Sequence, residues 1–184
     1  MKLDRSRLRN SKSKSKVVTY SLMEANFAYS HKIAIEMKTK EVVESCFSAI
    51  EAGDFARAAT FLSDNFTFVG PAPKPLGKKE YLNVQGALVA GMPDWKFNTA
   101  KIEEVSPNRL KLTVAVSGTQ TRDLDLSALG MPKVSATGKH VQNPTERVDI
   151  SLENGKLTNL TVEQVPGGGI PGVLSQLGVS LPKN

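Results

Sequence analysis

A carboxylate at position 163, two more at 123 and 125, an imidazole at 140 and a thiol at 46 are the groups through which this chain could move a proton or attack a carbon. Glu163 lies in a stretch that reads as a strand. Held among apolar walls, its carboxyl would be raised in pKa and become a usable proton carrier near neutrality; on an open edge it would be a solvated charge. Asp123 and Asp125 alternate in Arg122-Asp-Leu-Asp125 and so point the same way. Paired carboxylates can share one proton, and a solvated rim beside Arg122 is the competing reading. His140 follows Thr137-Gly-Lys139 at a strand start. As an acid–base it needs a partner within hydrogen-bond reach, and Glu146 is not obviously placed to be one, so a surface histidine is the alternative. His31 falls where no structure is assignable and receives no role.

Cys46, the only cysteine, excludes an intramolecular disulfide, and beside Phe47 on an apolar helix face it reads as a small buried hydrophobe. With two histidines it cannot build a usual structural zinc site, so neither a metal nor a cofactor is expected. Tyr81 and Trp95 each pair an apolar body with one polar handle, which suits the mouth of a pocket. Phe68 and Phe97 read as core, with Phe68 counted beside Tyr81, Trp95, Arg122 and His140 as pocket lining. Gly167-Gly-Gly-Ile-Pro-Gly172 formally satisfies Gly-x-Gly-x-x-Gly, but no strand–helix–strand unit with a downstream acid follows it. These glycines instead let the chain turn off its last strand, and Pro171 starts a short helix that Gly178 stops. Phosphate-loop, His-Glu-x-x-His and Gly-x-Ser-x-Gly patterns are missing from the sequence.

The elements that must position these groups follow from periodicity. Thr39 as N-cap, then Val42, Val43, Cys46, Phe47 and Ile50 at helical spacing, predicts a helix that Gly53 ends. Asp54 caps the next, which carries Phe55, Ala58, Ala59, Phe61 and Leu62. Phe66–Gly70 alternates as a short strand, and Pro71, Pro73 and Pro75 impose an extended loop. Gly77 opens a third helix with Tyr81, Leu82, Val84, Leu88 and Val89 on its apolar stripe, and Gly91-Met-Pro-Asp94 stops it. Beyond this point the chain reads as antiparallel sheet: a strand from Trp95 to Val105, the clearest one from Arg109 to Thr121, a loop over 126–138, another strand within His140–Leu152, and a last one from Leu157 to Val165.

Asn154-Gly155 is the strongest hairpin signal in the chain. A two-residue turn there pairs Leu152 with Leu157, but strict pleating would then set Ile150 against Asn159 and Val148 against Thr161. A β-bulge near Thr158–Asn159 is therefore expected, because it returns Leu160 and Val162 to the apolar face. Helices followed by a strand meander give an α+β domain with helices on one sheet face.

The 184 residues suffice for one domain with a sizeable core, over residues 39–184. Residues 1–38 form a basic Ser/Lys/Arg-rich tail and a lead-in without assignable structure. The net charge of +6 is misleading until located. Residues 1–16 carry seven basic groups against Asp4 alone, which accounts for all of it; the remaining 17 basic and 17 acidic residues cancel. Charge thus implies no nucleic-acid face on the domain, only a tail open to weak, salt-sensitive polyanion contact. No apolar run is long enough for a membrane span, no secretory h-region is seen, and mean hydropathy is −0.23. A soluble, intracellular, cytoplasmic protein is expected, with organelle import by the basic Ser-rich N-terminus as the alternative.

Six segments in a fixed order carry a further signal: Ile50-Glu-Ala-Gly-Asp-Phe55, Met92-Pro-Asp-Trp95, Gly118-Thr-Gln-Thr121, Ala136-Thr-Gly-Lys139, Asn154-Gly-Lys-Leu157 and Leu174-Ser-Gln-Leu-Gly178. Through them the chain resembles the nuclear-transport-factor-2-like (NTF2-like) superfamily, and within it the SnoaL-like polyketide-cyclase group, over roughly Thr39 to Leu181. The resemblance implies a cystatin-type α+β roll: a curved, mixed-to-antiparallel sheet on about three N-terminal helices, enclosing a cone-shaped apolar pocket, with homodimerisation through the outer sheet face. It also implies cofactor-independent proton transfer by an acid helped by a histidine. This chain has Gln120 at the histidine's position, able to orient a carbonyl but not to carry a proton. Glu163 is the nearest counterpart of the acid. The function so implied is binding of a small, largely apolar organic molecule, with isomerisation or cyclisation by Glu163 and Gln120, or else a non-catalytic binding and dimerisation module.

Overall fold

The computed structural model describes residues 39–72 and 74–179; the expectations for the tail, His31, Pro73 and Leu181 lie outside these residues. The first helix, α1, runs through residues 39–51. Thr39 is already helical and buried rather than a cap. Gly53, at φ +73°, turns the chain, and the Asp54 carboxylate accepts the Arg57 N–H at 3.0 Å to start α2 (Phe55–Phe61). Leu62 opens strand β1 (Leu62–Val69), longer than expected. A two-residue β2 (Leu76–Gly77) leads into α3 (Lys78–Gly91), and the Glu80 carboxylate accepts the Gly77 N–H at 3.1 Å there.

The main sheet has the order β2-β1-β8-β7-β4-β3, where β3 is Ala100–Ser106, β4 Arg109–Val114, β7 Glu146–Glu153 and β8 Lys156–Val162. Every neighbouring pair is antiparallel except β1 and β8, which run parallel. Between β4 and β7 lies a separate ribbon of β5 (Ser117–Thr119) and β6 (His140–Gln142). A single 3-10 turn, Ser127–Leu129, marks the intervening loop, and α4 (Gly169–Gln176) closes the described chain. Leu110, Leu112, Val148, Ile150, Leu157 and Leu160 are all buried and pack with Val43, Phe47 and Ile50 of α1 and Val84 and Leu88 of α3 in one core. This is an open, curved α+β sheet with helices on its concave side.

The hairpin after β7 forms as the sequence requires. Asn154 and Gly155 both take positive φ, 50° and 72°. The pairing slips between Ser151 and Leu152, leaving Thr158 as the extra residue, so that Ile150 faces Leu160 and Val148 faces Val162. Nothing crowds a Cβ at Gly155, so Gly155→Ala is expected to cost only the left-handed strain, about 1 kcal/mol in urea denaturation.

Two strand expectations are corrected. Trp95–Thr99 is not strand: Asn98 has positive φ, and the segment makes a single bridge to β5, Lys96↔Ser117, beside the Asn98 Nδ2 bond to Ser117 Oγ at 2.9 Å. The Phe97 carbonyl accepts the Ala115 N–H, and the segment is also tied to α1, where the Glu51 carboxylate accepts the Phe97 N–H at 2.8 Å and pairs with Lys96 at 2.9 Å. The long strand from Arg109 breaks after Val114. Asp94 takes both the Thr119 N–H, at 2.6 Å, and its hydroxyl, at 2.8 Å, so the chain's continuation is drawn off to a different ribbon.

Candidate functional site

A cavity of about 80 Å³ lies between the concave sheet and the helices. Its walls are aromatic and aliphatic because each contributing element presents its apolar phase inward. Phe68 of β1 stacks on Tyr81 of α3 at 5.3 Å, and Phe47 of α1 stacks on Phe97 at 4.5 Å. Trp95 meets Phe97 edge-on at 6.5 Å. Val114, Val148 and Leu160 form the floor from β4, β7 and β8, while Ile170 and Val173 of α4 bound the far side. Burial pushes the Tyr81 phenol well above its ordinary pKa, with the nearby Cys46 thiol adding to the effect. Cys46 itself is pushed up to about 12 by burial, so thiol reagents at pH 8 are expected to leave the native chain unlabelled and to react once urea unfolds it. Rapid labelling without denaturant would contradict this placement.

The polar exceptions are few. Glu146 is the first residue of β7, opposite Val114, and only 2% exposed. Its Oε1 has no hydrogen-bond partner among the described residues. Burial raises its pKa; the Gly169 N–H and the Asn143 amide pull the other way and do not cancel that shift. The start of α4 sits directly over this carboxyl. A Cβ on Gly168 would fall 2.6 Å from Oε1, one on Gly169 would enter Pro71, and one on Gly172 would enter the Gly167 carbonyl. The glycine-rich segment is therefore a close-packed cover more than a simple turn. Asn143 ties it down: its Nδ2 donates to Gly169 O at 2.8 Å, and its Oδ1 accepts from Gln176 Nε2 at 3.1 Å. Gln176 Oε1 in turn accepts the Gln142 N–H at 3.0 Å.

Phe68, Tyr81 and Trp95 line the cavity. The other expected site residues do not reach it. Glu163 falls one residue beyond β8, half-exposed, with its carboxylate 3.8 Å from the Arg147 guanidinium. Gln120 is fully buried but spent on structure: its Nε2 donates to the carbonyls of Val134 and Ser135, and its Oε1 accepts the Thr137 N–H and hydroxyl, at 2.7–3.2 Å. Arg122 is exposed beside the end of α3, its N–H donated to Gly91 O. His140 is exposed on β6, 3.1 Å from the Thr119 hydroxyl, which serves Asp94. Asp94 is held below the usual carboxylate range by Thr119, chiefly its N–H. Asp123 and Asp125 share no proton: hydrogen bonds, first from Lys133 and Ser127 respectively, hold each below the ordinary value. No group of three His, Cys, Asp or Glu side chains gathers among the described residues.

Sequence reasoning missed Glu146 and Gln85, another lining residue. The signal for Glu146 was present. It stands two, four and six positions before Val148, Ile150 and Leu152, on the apolar phase of that strand. Gln85 carries the helical equivalent, four positions after Tyr81 and three before Leu88 on the buried stripe of α3.

Comparison with known proteins agrees with the geometry. Curated protein sequences give no match. Among solved structures, a candidate SnoaL-like polyketide cyclase from Jannaschia sp. CCS1 superposes with a TM-score of 0.61 at 13% identity, over 80% of this chain and 96% of that one. AclR, a candidate hydroxylase from Streptomyces galilaeus, gives 0.60 at 14%, over 77% and 96%. IdmH, a candidate polyketide cyclase from Streptomyces antibioticus, gives 0.57 at 16%, over 77% and 99%. At these identities the likeness shows the fold alone. The sequence profile of the SnoaL-like domain matches residues 43–160, more than half of the chain, and the protein belongs to that family.

Proposed function

We propose that this SnoaL-like chain binds a small, largely apolar organic molecule in the cavity under α4, and that Glu146, rather than Glu163, is the group able to exchange a proton with it. One observation carries the reading: a carboxyl 2% exposed, raised in pKa by burial, with one oxygen unpartnered, on the wall of a mostly apolar cavity. A structural carboxylate buried to this degree normally has both oxygens satisfied. A raised pKa brings acid and base forms closer to balance near neutrality, which is what reversible removal of a proton beside a carbonyl needs. Gln120 takes no part, since its amide is fully engaged elsewhere.

The test is binding of a minimal neutral ring ketone. Saturation-transfer NMR is expected to show cyclohexanone in contact with the aromatic walls, and Val148→Phe, which fills the cavity floor, is expected to abolish the signal while circular dichroism stays native. A signal unchanged in that variant would overturn the reading. Binding without any proton exchange would reduce the protein to the non-catalytic alternative.

A further inference from the structure

Three side chains on the cavity wall carry polar atoms that nothing among the described residues satisfies: Gln85 Oε1, Trp95 Nε1 and Glu146 Oε1. Their residues are 8%, 3% and 2% exposed. Buried polar atoms are ordinarily paired, and three orphans on one small cavity are an unusual concentration. They also differ in kind. An indole nitrogen only donates, an amide oxygen only accepts, and a carboxyl does either according to its protonation. Trp95 lays its Cε3 edge against Gly118, where a Cβ would come within 3.3 Å, so its Nε1 lies on the opposite side of the indole from that contact.

We propose that the cavity's ligand is a neutral molecule of about one ring bearing both a hydrogen-bond acceptor, met by Trp95 Nε1–H, and a hydroxyl or amide donor, met by Gln85 Oε1. This rests on the reading above that the cavity receives a ligand. Three observations narrow the class. Among the described residues no Lys, Arg or His lines the cavity, and Glu146 does, so carboxylates and phosphates meet no counter-charge from them there. An organic ammonium would suit the aromatic walls and the two acceptors but would leave the Trp95 N–H unmet. The volume, about 80 Å³, is below the roughly 150 Å³ of a dry cavity that admits benzene and far below that of a drug-sized site, so even a single ring enters only as α4 yields, and fused polycycles are disfavoured far more strongly.

A set of probes matched in size separates these terms on the full chain at pH 6: the three hydroxyacetophenones, acetophenone, the ethylphenols, ethylbenzene, hydroxybenzoate and 1-phenylethylammonium. Affinities come from calorimetry or competitive saturation-transfer NMR. At least one hydroxyacetophenone is expected to bind roughly tenfold or more tightly than ethylbenzene, with hydroxybenzoate weakest. Trp95→Phe is expected to weaken acetophenone and hydroxyacetophenone by about tenfold and to leave the ethylphenols and ethylbenzene unchanged; Gln85→Leu should weaken the hydroxyl-bearing probes instead. The ranking on the unaltered chain stands on its own should either variant fold poorly. Equal binding of ethylbenzene and every hydroxyacetophenone, or strongest binding by the ammonium or the carboxylate, overturns the proposed class while leaving the pocket intact. Failure of every probe, ethylbenzene included, overturns the pocket itself.

Discussion

Glu146→Gln is expected to slow deuterium wash-in beside the carbonyl of bound cyclohexanone by about 10²- to 10⁴-fold, the span that a positioned acid–base contributes. The substitution keeps the shape and removes the proton carrier, so ketone binding should survive. One-dimensional NMR in D₂O reads the exchange directly, and equal rates in both proteins would remove proton transfer from the proposed function. Glu163→Gln is the control, expected to be silent because that side chain faces Arg147 and not the cavity.

The same variant reports on stability. The folded-state pKa of Glu146 is raised above its ordinary 4.5. Below that value the carboxyl is protonated in both folded and unfolded chains, and its contribution is fully present; as pH rises through the folded value, that contribution is lost because the unfolded chain ionises more readily. The Tm of the wild type should therefore fall relative to Glu146→Gln as pH rises above about 4.5, then level off beyond the folded pKa. Glu80, Asp94, Asp123 and Asp125, all shifted downward, act in the opposite sense but identically in both proteins, and the difference curve removes them. A difference that grows toward acid instead would mean a carboxylate stabilised in its charged form by the start of α4.

Gly172→Ala should damage the cover. Glycine to alanine inside a helix ordinarily gains up to about 1 kcal/mol. Here the new Cβ would run into the Gly167 carbonyl, a backbone group that cannot rotate aside, and would lie 3.1 Å from Asn143 Oδ1. Overpacking of this kind costs about 1–3 kcal/mol and reverses the sign, for a Tm lower by roughly 5–10 °C. Amide exchange at Val173 and Leu174, buried on α4, should rise with it. Gly86→Ala in α3 is the counter-case: its Cβ would find only Phe55, at 3.8 Å, so stability should hold or increase. A destabilisation shared by both variants would remove the close-packing argument.

Much of the architecture was legible because local chemistry and tertiary pairing agreed. Asn154-Gly155 fixed a turn, and the mismatch of Asn159 and Thr161 with an apolar face was enough to locate the bulge at Thr158. Legibility failed where alternation outlasted the ladder. Val114, Ala115 and Val116 keep the apolar rhythm across the point where the chain leaves the main sheet for the ribbon, because both surfaces face the core. For the site, the aromatic lining could be read from residue type. Glu163 was misplaced because the strand ends at Val162 and the next side chain faces an arginine across the outer surface. Glu146 shares the phase of Val148, Ile150 and Leu152, but alternation alone does not override the ordinary preference of a carboxylate for the surface. Gln120 looked like a catalytic replacement, yet a loop at 134–137 takes up its whole amide.

The parallel pairing of β1 with β8 sets the order in which this molecule can assemble. Leu62 must find Leu157, and Phe68 must find Leu160, so the apolar edge of the first strand waits through synthesis of more than ninety residues before its neighbour exists. Loop closure over that span comes late and keeps the long-range contacts slow to form. A nascent chain halted before the second hairpin strand would expose Phe66 and Phe68 on an unpaired edge, which makes synthesis of β8 the step on which escape from aggregation depends.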